Sequence, residues 1–364
     1  MAMRASAAAV REQILAILGA WGMPADLAAE TAEVMLETDL AGVDSHGIGM
    51  LASYERMRRA GQVQLAARPR VVREGPAMAL VDGGAGLGHP VAAFAMRLAV
   101  QKAKQGGVGV VSVVNSHHFG AAGWYVQQAA AAGCIGFVTS GTRTLAMVPT
   151  RGAMPVLGTN PIAFAAKGAE SPAVVLDMAT TTVAANKVRA KALRGKAIPP
   201  GWVLDGAGAA VSEPVAAAAQ IFDRPEGGIS PLGGTEEMGS HKGYGLALMA
   251  HILGGTLAGA SFSPIRNRTQ RPEDPDNIGH FMLALDPGFF RAPGAFEADL
   301  DEVVGVLRAT PPAAPALPVL VPGDPERLER AERLAQGIPI PPLLAEEIRG
   351  IAERAGVAFL LGNA

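Results

Sequence analysis

GVGVVSVVNSHHFGAAGWYVQQAAAAGCIGFVTSGT, residues 107–142, carries the pattern that decides the fold class. GVGVVSVVNS is an almost continuous β-branched run, as expected of a strand buried on both faces. GAAGWYVQQAAAAG is rich in helix formers and follows directly. CIGFVTSGT is again a short apolar run bounded by small residues. Strand, helix, strand in this order predicts an α/β core.

The same alternation extends outward. Upstream, HPVAAFAMRLAVQKAKQ reads as a helix, and VVREGPAMALVDGGAGLG reads as two short strands joined by a turn. Before it, helical spacing covers residues 6–20, through Val10, Ile14, Ile17 and Leu18, and a second helix runs from a capping Asp26 to about Leu40. A third helix covers Leu51 to Arg59, after the glycine-punctuated turn AGVDSHGIGM. Downstream, PVLGTNPIAFAA and AVVLDMATTTVA are strand-like, and KALRGKAIPPGWVLDGAG is a turn-rich surface excursion. SHKGYGLALMAHILGGTLAGA is a loop entering a long apolar helix, SPIRNRTQRPEDPDN a polar loop, and HFMLALDP a strand. PPAAPALPVLVPGDP is a connector, and ERLERAERLAQ and LAEEIRGIAERAG are terminal helices separated by GIPIPPL. The predicted organisation is a helical lobe from both ends, residues 1–70 with 305–364, around an α/β domain of residues 71–304.

Composition bounds the function. Hydrophobic residues make up 49% and charged residues 18%, so the chain buries a core and is not disordered. The 31 basic and 33 acidic residues leave a net charge of −2, with no basic surplus to hold nucleic acid, so a small-molecule partner is expected. The single cysteine, Cys134, forms no internal disulfide or zinc cluster and reads as a buried, inert thiol. No run of 18 apolar residues predicts a membrane span. The short apolar stretch Ile14 to Leu18, preceded by Arg11 and Glu12, is not a secretory leader. A cytoplasmic setting is expected.

Several segments carry chemistry. In DSHG, residues 44–47, His46 stands on a glycine-flanked turn, and its near-neutral pKa suits acid–base work. Ser45 is placed to orient it, although an Asp-Ser capping pair with an exposed histidine has the same spelling. NSHHFGAAGWY puts a strand-to-helix turn at residues 115–125, where free N–H groups favour phosphate or carboxylate. His117 and His118 are adjacent and point apart, so no metal site is predicted. A metal-dependent lyase or hydrolase using this pair with a carboxylate is the alternative of another class. DGGAGLGH spaces its glycines as Gly84-x-Gly86-x-Gly88, which fails the dinucleotide fingerprint and reads as a tight turn. Thr159-Asn160-Pro161 offers ligand hydrogen bonds or merely a turn. Asp177, ending an apolar run, suits a ribose hydroxyl or a cap. Lys242 lies at a glycine-flanked helix entry, where it serves a phosphate or only solvent. Gly323 and Asp324 are explained by helix capping alone.

The order of these segments is more specific than any one of them. DSHGIGML with Tyr54, NSHHFGAAGWY, LGTNPIAFA, LDMAT, LRGKAIPPGWVLDGAG, HKGYGLAL with GGTLAGA, HFMLALDP and VPGDPE resemble the malate/L-lactate dehydrogenase family of the second, non-Rossmann type, from about residue 10 to 360. The GIGM and KVRAKALRGKAIPPGW stretches are most similar to its hydroxycarboxylate dehydrogenase branch. The resemblance implies an L-sulfolactate dehydrogenase-like fold, with a mixed sheet, helices on both sides and non-Rossmann dinucleotide binding. It implies a homodimer that moves hydride between NAD or NADP and a 2-oxo acid, or in some members a cyclic imine acid or ureidoglycolate. It implies His46 as proton donor with Ser45 as its partner, and His118, Phe119, Gly120, Ala121 and Ala122 lining the cofactor. Asp177, Met178, Ala179, Lys242, Gly323 and Asp324 would hold the dinucleotide, and Thr159 would contact substrate. Two positions depart from relatives. Met50 stands where several carry a carboxylate-gripping arginine, leaving Arg143, Lys187 or Arg189 as candidate anchors. Lys187 stands where imine-reducing relatives carry an aspartate, which favours a keto acid. A degenerate Met50 site would instead fit a non-catalytic nucleotide-binding protein.

Overall fold

The computed structural model describes residues 3–193, 195–271 and 274–362. A short strand, β1 (Met3–Ala5), precedes three helices, α1 (Ala7–Ala20), α2 (Ala25–Leu40) and α3 (Leu51–Arg59). The α/β body begins with β2 (Arg70–Glu74), β3 (Met78–Gly86), α4 (Gly88–Gly106), β4 (Val108–Ser116), α5 (Ala122–Ala131) and β5 (Ile135–Ser140). It continues with β6 (Ile162–Ala166) and β7 (Val174–Met178). An excursion holds α6 (Ala185–Leu193), β8 (Val203–Leu204), α7 (Pro214–Phe222) and β9 (Gly228–Ile229). Then come α8 (Ser240–Gly254), α9 (Ser263–Thr269), β10 (Ile278–Leu285) and α10 (Ala295–Ala309), and finally α11 (Asp324–Gln336), β11 (Ile338–Ile340) and α12 (Pro342–Ala355).

The central sheet has the order β2-β3-β4-β10-β5-β6-β7. Among the described strands of this sheet, β3 and β4 are the parallel neighbours. β10 runs antiparallel to both β4 and β5, which therefore point the same way. β7 lies two antiparallel steps beyond β5 and points with them. The C-terminal ends of β3, β4, β5 and β7, and the starts of β6 and β10, thus share one sheet edge. This mixed order differs from the all-parallel sheet of a Rossmann fold and agrees with the failed glycine spacing at 84–88.

Apolar residues sort into separate cores. Val10, Ile14, Ile17 and Leu18 are fully buried and join Met35, Leu51, Ile338, Ile348 and Ile351 in the helical lobe. A second core lies between the sheet and α4 and α5, built on Val81, Val111, Val113, Val138 and Met282 with Met96 and Val126. Cys134 is buried there as a free thiol. No single helix among the described residues is long and apolar enough to cross a membrane.

Several local readings change. Asp26 does not cap α2: Pro24 is the cap residue, and Asp26 sits in the first turn, paired with Arg68. DGGAG is not the turn after β3 but lies inside it. Gly84 and Ala85 both have φ of 60° there, and the register against β4 shifts between Asp82 and Gly86, so the glycines make an irregularity within a strand. The polar loop SPIRNRTQRPEDPDN contains α9, seated by Ser263 Oγ donating to the Arg143 carbonyl (2.7 Å). GIPIPPL holds β11, which pairs with β1 and joins the two ends of the chain. The turn-rich excursion has its own small core of Val188, Ile198, Val203, Ala217 and Ile229.

Candidate active site

The DSHG turn follows α2 and is held from three sides. Asp39, buried near the end of α2, accepts from Ile48 N through Oδ2 (2.8 Å). Gly47 presses on the same carboxylate: a Cβ there would lie 1.7 Å from Asp39 Oδ1, so only glycine fits. Arg333 reaches in from α11, donating to the Asp39 carbonyl (2.8 Å), to the Asp44 carboxylate, and through Nε to Glu329 (2.7 Å). Burial pushes the Asp39 carboxyl up to about 7, against the Ile48 N–H, which favours its charged form.

His46 emerges half-buried from this clamp. Its Nδ1 lies 2.7 Å from Ser45 Oγ. Its ring stacks on that of His118, with centroids 5.2 Å apart and planes 29° from parallel. His118 Nδ1 faces the Tyr54 hydroxyl (2.8 Å) and the Gly120 N–H (3.4 Å). A backbone N–H can only donate, so His118 Nδ1 is an acceptor and the ring proton sits on Nε2. Tyr54 Oη donates to His118 and accepts from His89 Nε2 (3.4 Å). Burial holds every imidazole here on the neutral side: His46 is lowered, His118 lies well below its usual value, and His89 is lowered to about 3. The crowded histidines lower one another further, with His46 acting on both His118 and His89. Burial likewise raises the Tyr54 phenol.

The shared sheet edge brings the remaining segments together. Phe119 stacks between Tyr125 and His280, with centroids at 5.2 and 4.5 Å. Gly120, with φ of 77°, lies so close to His89 that a Cβ would come within 3.1 Å of Nε2. Ala121 is the cap residue of α5, Ala122 begins that helix, and Asp177 Oδ2 accepts from Gly123 N (2.7 Å). The α5 amide expected to be free for phosphate is thus taken by a carboxylate from β7. Asp177 is open to solvent on one side but walled by protein on the others, which raises its pKa to about 6.

Met178 and Ala179 lead to Thr180, whose N–H and hydroxyl both donate to the Thr159 carbonyl (2.8 and 2.9 Å). Thr180 O accepts from Leu232 N, and Leu232 O accepts from Gly243 N, so exposed Lys242 in the first turn of α8 lies beside this segment. Gly323, with φ of 97°, packs on the edge of β7, 3.1 Å from Val175 N in Cβ terms. Asp324 is saturated by Arg308, Arg327 and the Val321 N–H. It builds that loop and has no carboxylate oxygen left for a ligand.

Met50 and Lys187 are the remaining candidate substrate residues, and Met50 N donates to the Gly47 carbonyl of the DSHG turn (3.0 Å). Met50 packs against the core of the helical lobe. Lys187 sits on the excursion, its Nζ 5.6 Å above the Trp202 ring. His117 and His118 diverge: His117 faces Asp276 (3.8 Å), His118 faces Tyr54. Among the described residues no three His, Cys, Asp or Glu side chains are grouped to hold a metal. Arg333, Asp39, His89 and His280 were not legible as site residues, because each is recruited by tertiary contact rather than by a local motif.

The donor set fits a dinucleotide. Asp177 offers an exposed acceptor for ribose hydroxyls and Lys242 a cation for phosphate.

Comparison with known proteins identifies the family. The family model described as malate/L-lactate dehydrogenase matches residues 5–349. Malate dehydrogenase from Pyrococcus horikoshii is 37% identical over 95% of this chain and 94% of that protein, and its solved structure superposes with a TM-score of 0.85. The structure of sulfolactate dehydrogenase from Methanocaldococcus jannaschii has a TM-score of 0.88 at 34% identity, covering 98% of each chain. Hydroxycarboxylate dehydrogenase B from Escherichia coli K12 is 33% identical over 85% of this chain and 82% of its own. With its mixed sheet order and the full run of motifs in register, the chain belongs to the malate/L-lactate dehydrogenase family.

Proposed function

We propose that this protein interconverts a 2-hydroxy acid and its 2-oxo acid with NAD or NADP, and that His46 moves the proton. The observation that carries the reading is His46 itself: half-exposed, bonded at Nδ1 to Ser45 and stacked on neutral His118. A bound nicotinamide dinucleotide would supply or take the hydride, held by Asp177 and Lys242 with the backbone around Gly120. In the oxidative direction His46 Nε2 takes the hydroxyl proton, while Nδ1–H donates to Ser45 Oγ before and after transfer. Ser45 therefore fixes the ring in both protonation states. In the reductive direction the imidazolium returns that proton to the carbonyl oxygen. General acid–base assistance of this kind is worth roughly 10²–10⁴-fold. His118, with its proton on Nε2, presents a neutral donor that adds no repulsion when His46 becomes charged. Thr159 is proposed to contact substrate.

The proposal extends to assembly. Leu248 and Ile252 on α8, with Leu257 and Ile265 beyond it, are exposed large apolar residues, which supports a homodimer through this face. The deciding experiment for the activity is NADH and NADPH oxidation against pyruvate, phenylpyruvate, 2-oxoglutarate and oxaloacetate. Turnover with at least one acid is expected, and none with any would overturn the reading.

A further inference from the structure

Met50, half-buried against the core of the helical lobe, offers no cation to a substrate carboxylate, so a cation for it would come from another position. Most buried ionised groups among the described residues are balanced locally. Lys102 is matched by Glu74, and Arg333 by Asp44 and Glu329. Asp324 and Glu55 each hold two arginines, but those arginines lie toward solvent. One cluster differs. Asp276, 4% exposed, is shared by Arg143 (Nε to Oδ1, 2.8 Å; Nη1 to Oδ2, 3.2 Å) and by Arg266, 3% exposed (Nη2 to Oδ1, 3.1 Å). Two guanidiniums thus face one carboxylate, and the nearby Asp274 carboxylate is engaged by Arg271. Arg266 spends another donor on the Asp274 carbonyl (3.0 Å), and its Nε is buried with no hydrogen-bond partner. Buried charge of one sign is costly unless an opposite charge completes it.

The place is as informative as the charge. Arg143 follows the end of β5, Asp276 precedes the start of β10, and His117–His118 follow the end of β4. These are three neighbouring central strands, spaced about 4.8 Å apart, so all three positions crowd one sheet edge. His117 lies 3.8 Å from Asp276, and the next residue, His118, is the one that stacks on His46. The Arg143 side chain is 34% exposed, in a notch lined by Gly141, Thr142, Arg266, Asp276 and Asn277. Its Nη1 donates to Asp276 Oδ2, while Nε stands 2.8 Å from Oδ1 in ion-pair contact without hydrogen-bond geometry, which leaves Nη2 for an incoming anion. Ser263 holds its backbone carbonyl (2.7 Å) and so fixes where the side chain starts.

We infer that Arg143, backed by the Arg266–Asp276 pair, is the residue that binds the carboxylate of the 2-oxo acid. The inference rests on the proposed function for the identity of the anion. Asp276 orients the Arg143 guanidinium through Nη1, and Arg266, which also feels Asp274, adds a second positive charge among the described residues that the substrate carboxylate would help to balance.

The test uses the full-length protein with saturating NADH or NADPH. Wild type, Arg143→Met and Arg143→Lys are compared for the KM of the best 2-oxo acid, the inhibition constant of oxamate, the KM of the cofactor and thermal stability. Arg143→Met leaves Asp276 paired with Arg266 and is expected to fold. It should raise the oxo-acid KM and weaken oxamate by roughly 10–100-fold, the worth of a charged hydrogen bond, with the cofactor KM within about twofold. Arg143→Lys should recover part of the loss. Unchanged oxamate binding in either folded variant overturns the inference. So does a parallel rise in the cofactor KM, which would make the anion a cofactor phosphate. If Arg143→Met does not fold, Arg143→Lys decides alone: a weaker oxamate at unchanged cofactor KM supports the inference. If wild type reduces no oxo acid at all, the functional reading fails on its own, and calorimetry of oxalate with wild type and Arg143→Lys still decides the anion site.

Discussion

His46 and His118 stack at 5.2 Å while burial disfavours a proton on either ring. The pair therefore tolerates one positive charge at most, and the more open ring, His46, is the one to carry it. The folded pKa of His46 lies below its usual 6.5, so the resting enzyme near neutrality holds the base form. For oxidation of the hydroxy acid, kcat/KM should stay flat well below pH 6.5 and fall only as His46 finally protonates. For reduction of the oxo acid the sign reverses, and kcat/KM should decline as pH rises through the same depressed value. Rate profiles in both directions check this, and an acid limb above pH 7 for the oxidation would contradict it.

Removing the proton carrier should cost the most activity. His46→Ala is expected to lower kcat by at least about a hundredfold. Nucleotide affinity, followed by fluorescence of bound NADH, should change little, because the proposed nucleotide contacts lie at Asp177 and Lys242. Near-normal turnover would remove His46 from the mechanism.

Arg333 makes α11 part of the site. Arg333→Met strands the Asp39 carbonyl and frees the Asp44 carboxylate. A fully buried pair broken this way costs about 3–5 kcal/mol, and the partly exposed carboxylates reduce that to about 2–3 kcal/mol. Denaturant unfolding measures the loss. Because the DSHG turn loosens, kcat should fall more than the cofactor KM rises, and Arg333→Lys should restore part of both.

Asp39 gives a pH signature to stability. Its folded pKa of about 7 is above the ordinary 3.8, so its contribution is fully present below about pH 4 and is lost as pH rises through about 7. Asp39→Asn keeps an acceptor for Ile48 N and fits beside Gly47. It should flatten the fall in stability between about pH 4 and 7, as read from urea midpoints across that range. An unchanged slope would show that Asp39 is ionised throughout.

Much of the α/β body is legible in sequence because strands buried on both faces read as unbroken β-branched runs, and residues 107–142 do so almost without interruption. Short or irregular elements are not. β11 is three residues within GIPIPPL, and its pairing with β1 depends on a partner far away in the chain. DGGAG looks like a turn because local glycine content says nothing of the long-range ladder that keeps it in β3. The site divides in the same way. His46 and His118 lie in compact motifs, whereas the Arg333 contacts that hold the DSHG turn join segments nearly 300 residues apart. Asp177 was readable as a carboxylate at a strand end, but not as the acceptor for Gly123 N in the first turn of α5.

The position of β10 also dictates when the sheet can exist. His280 bonds Ser140 and Ser116 across sequence separations of 140 and 164 residues, so the middle strand is made long after its neighbours. A nascent chain carrying β4 and β5 has a gap between them, with two unpaired edges facing each other. The assembly of the sheet edge, and with it the juxtaposition of His117, Asp276 and Arg143, must therefore await the emergence of residue 285 and the closure of a very long loop. Folding should accordingly be slow and late-committing, with protection of β4 and β5 amides from hydrogen exchange appearing together with that of β10 rather than before it.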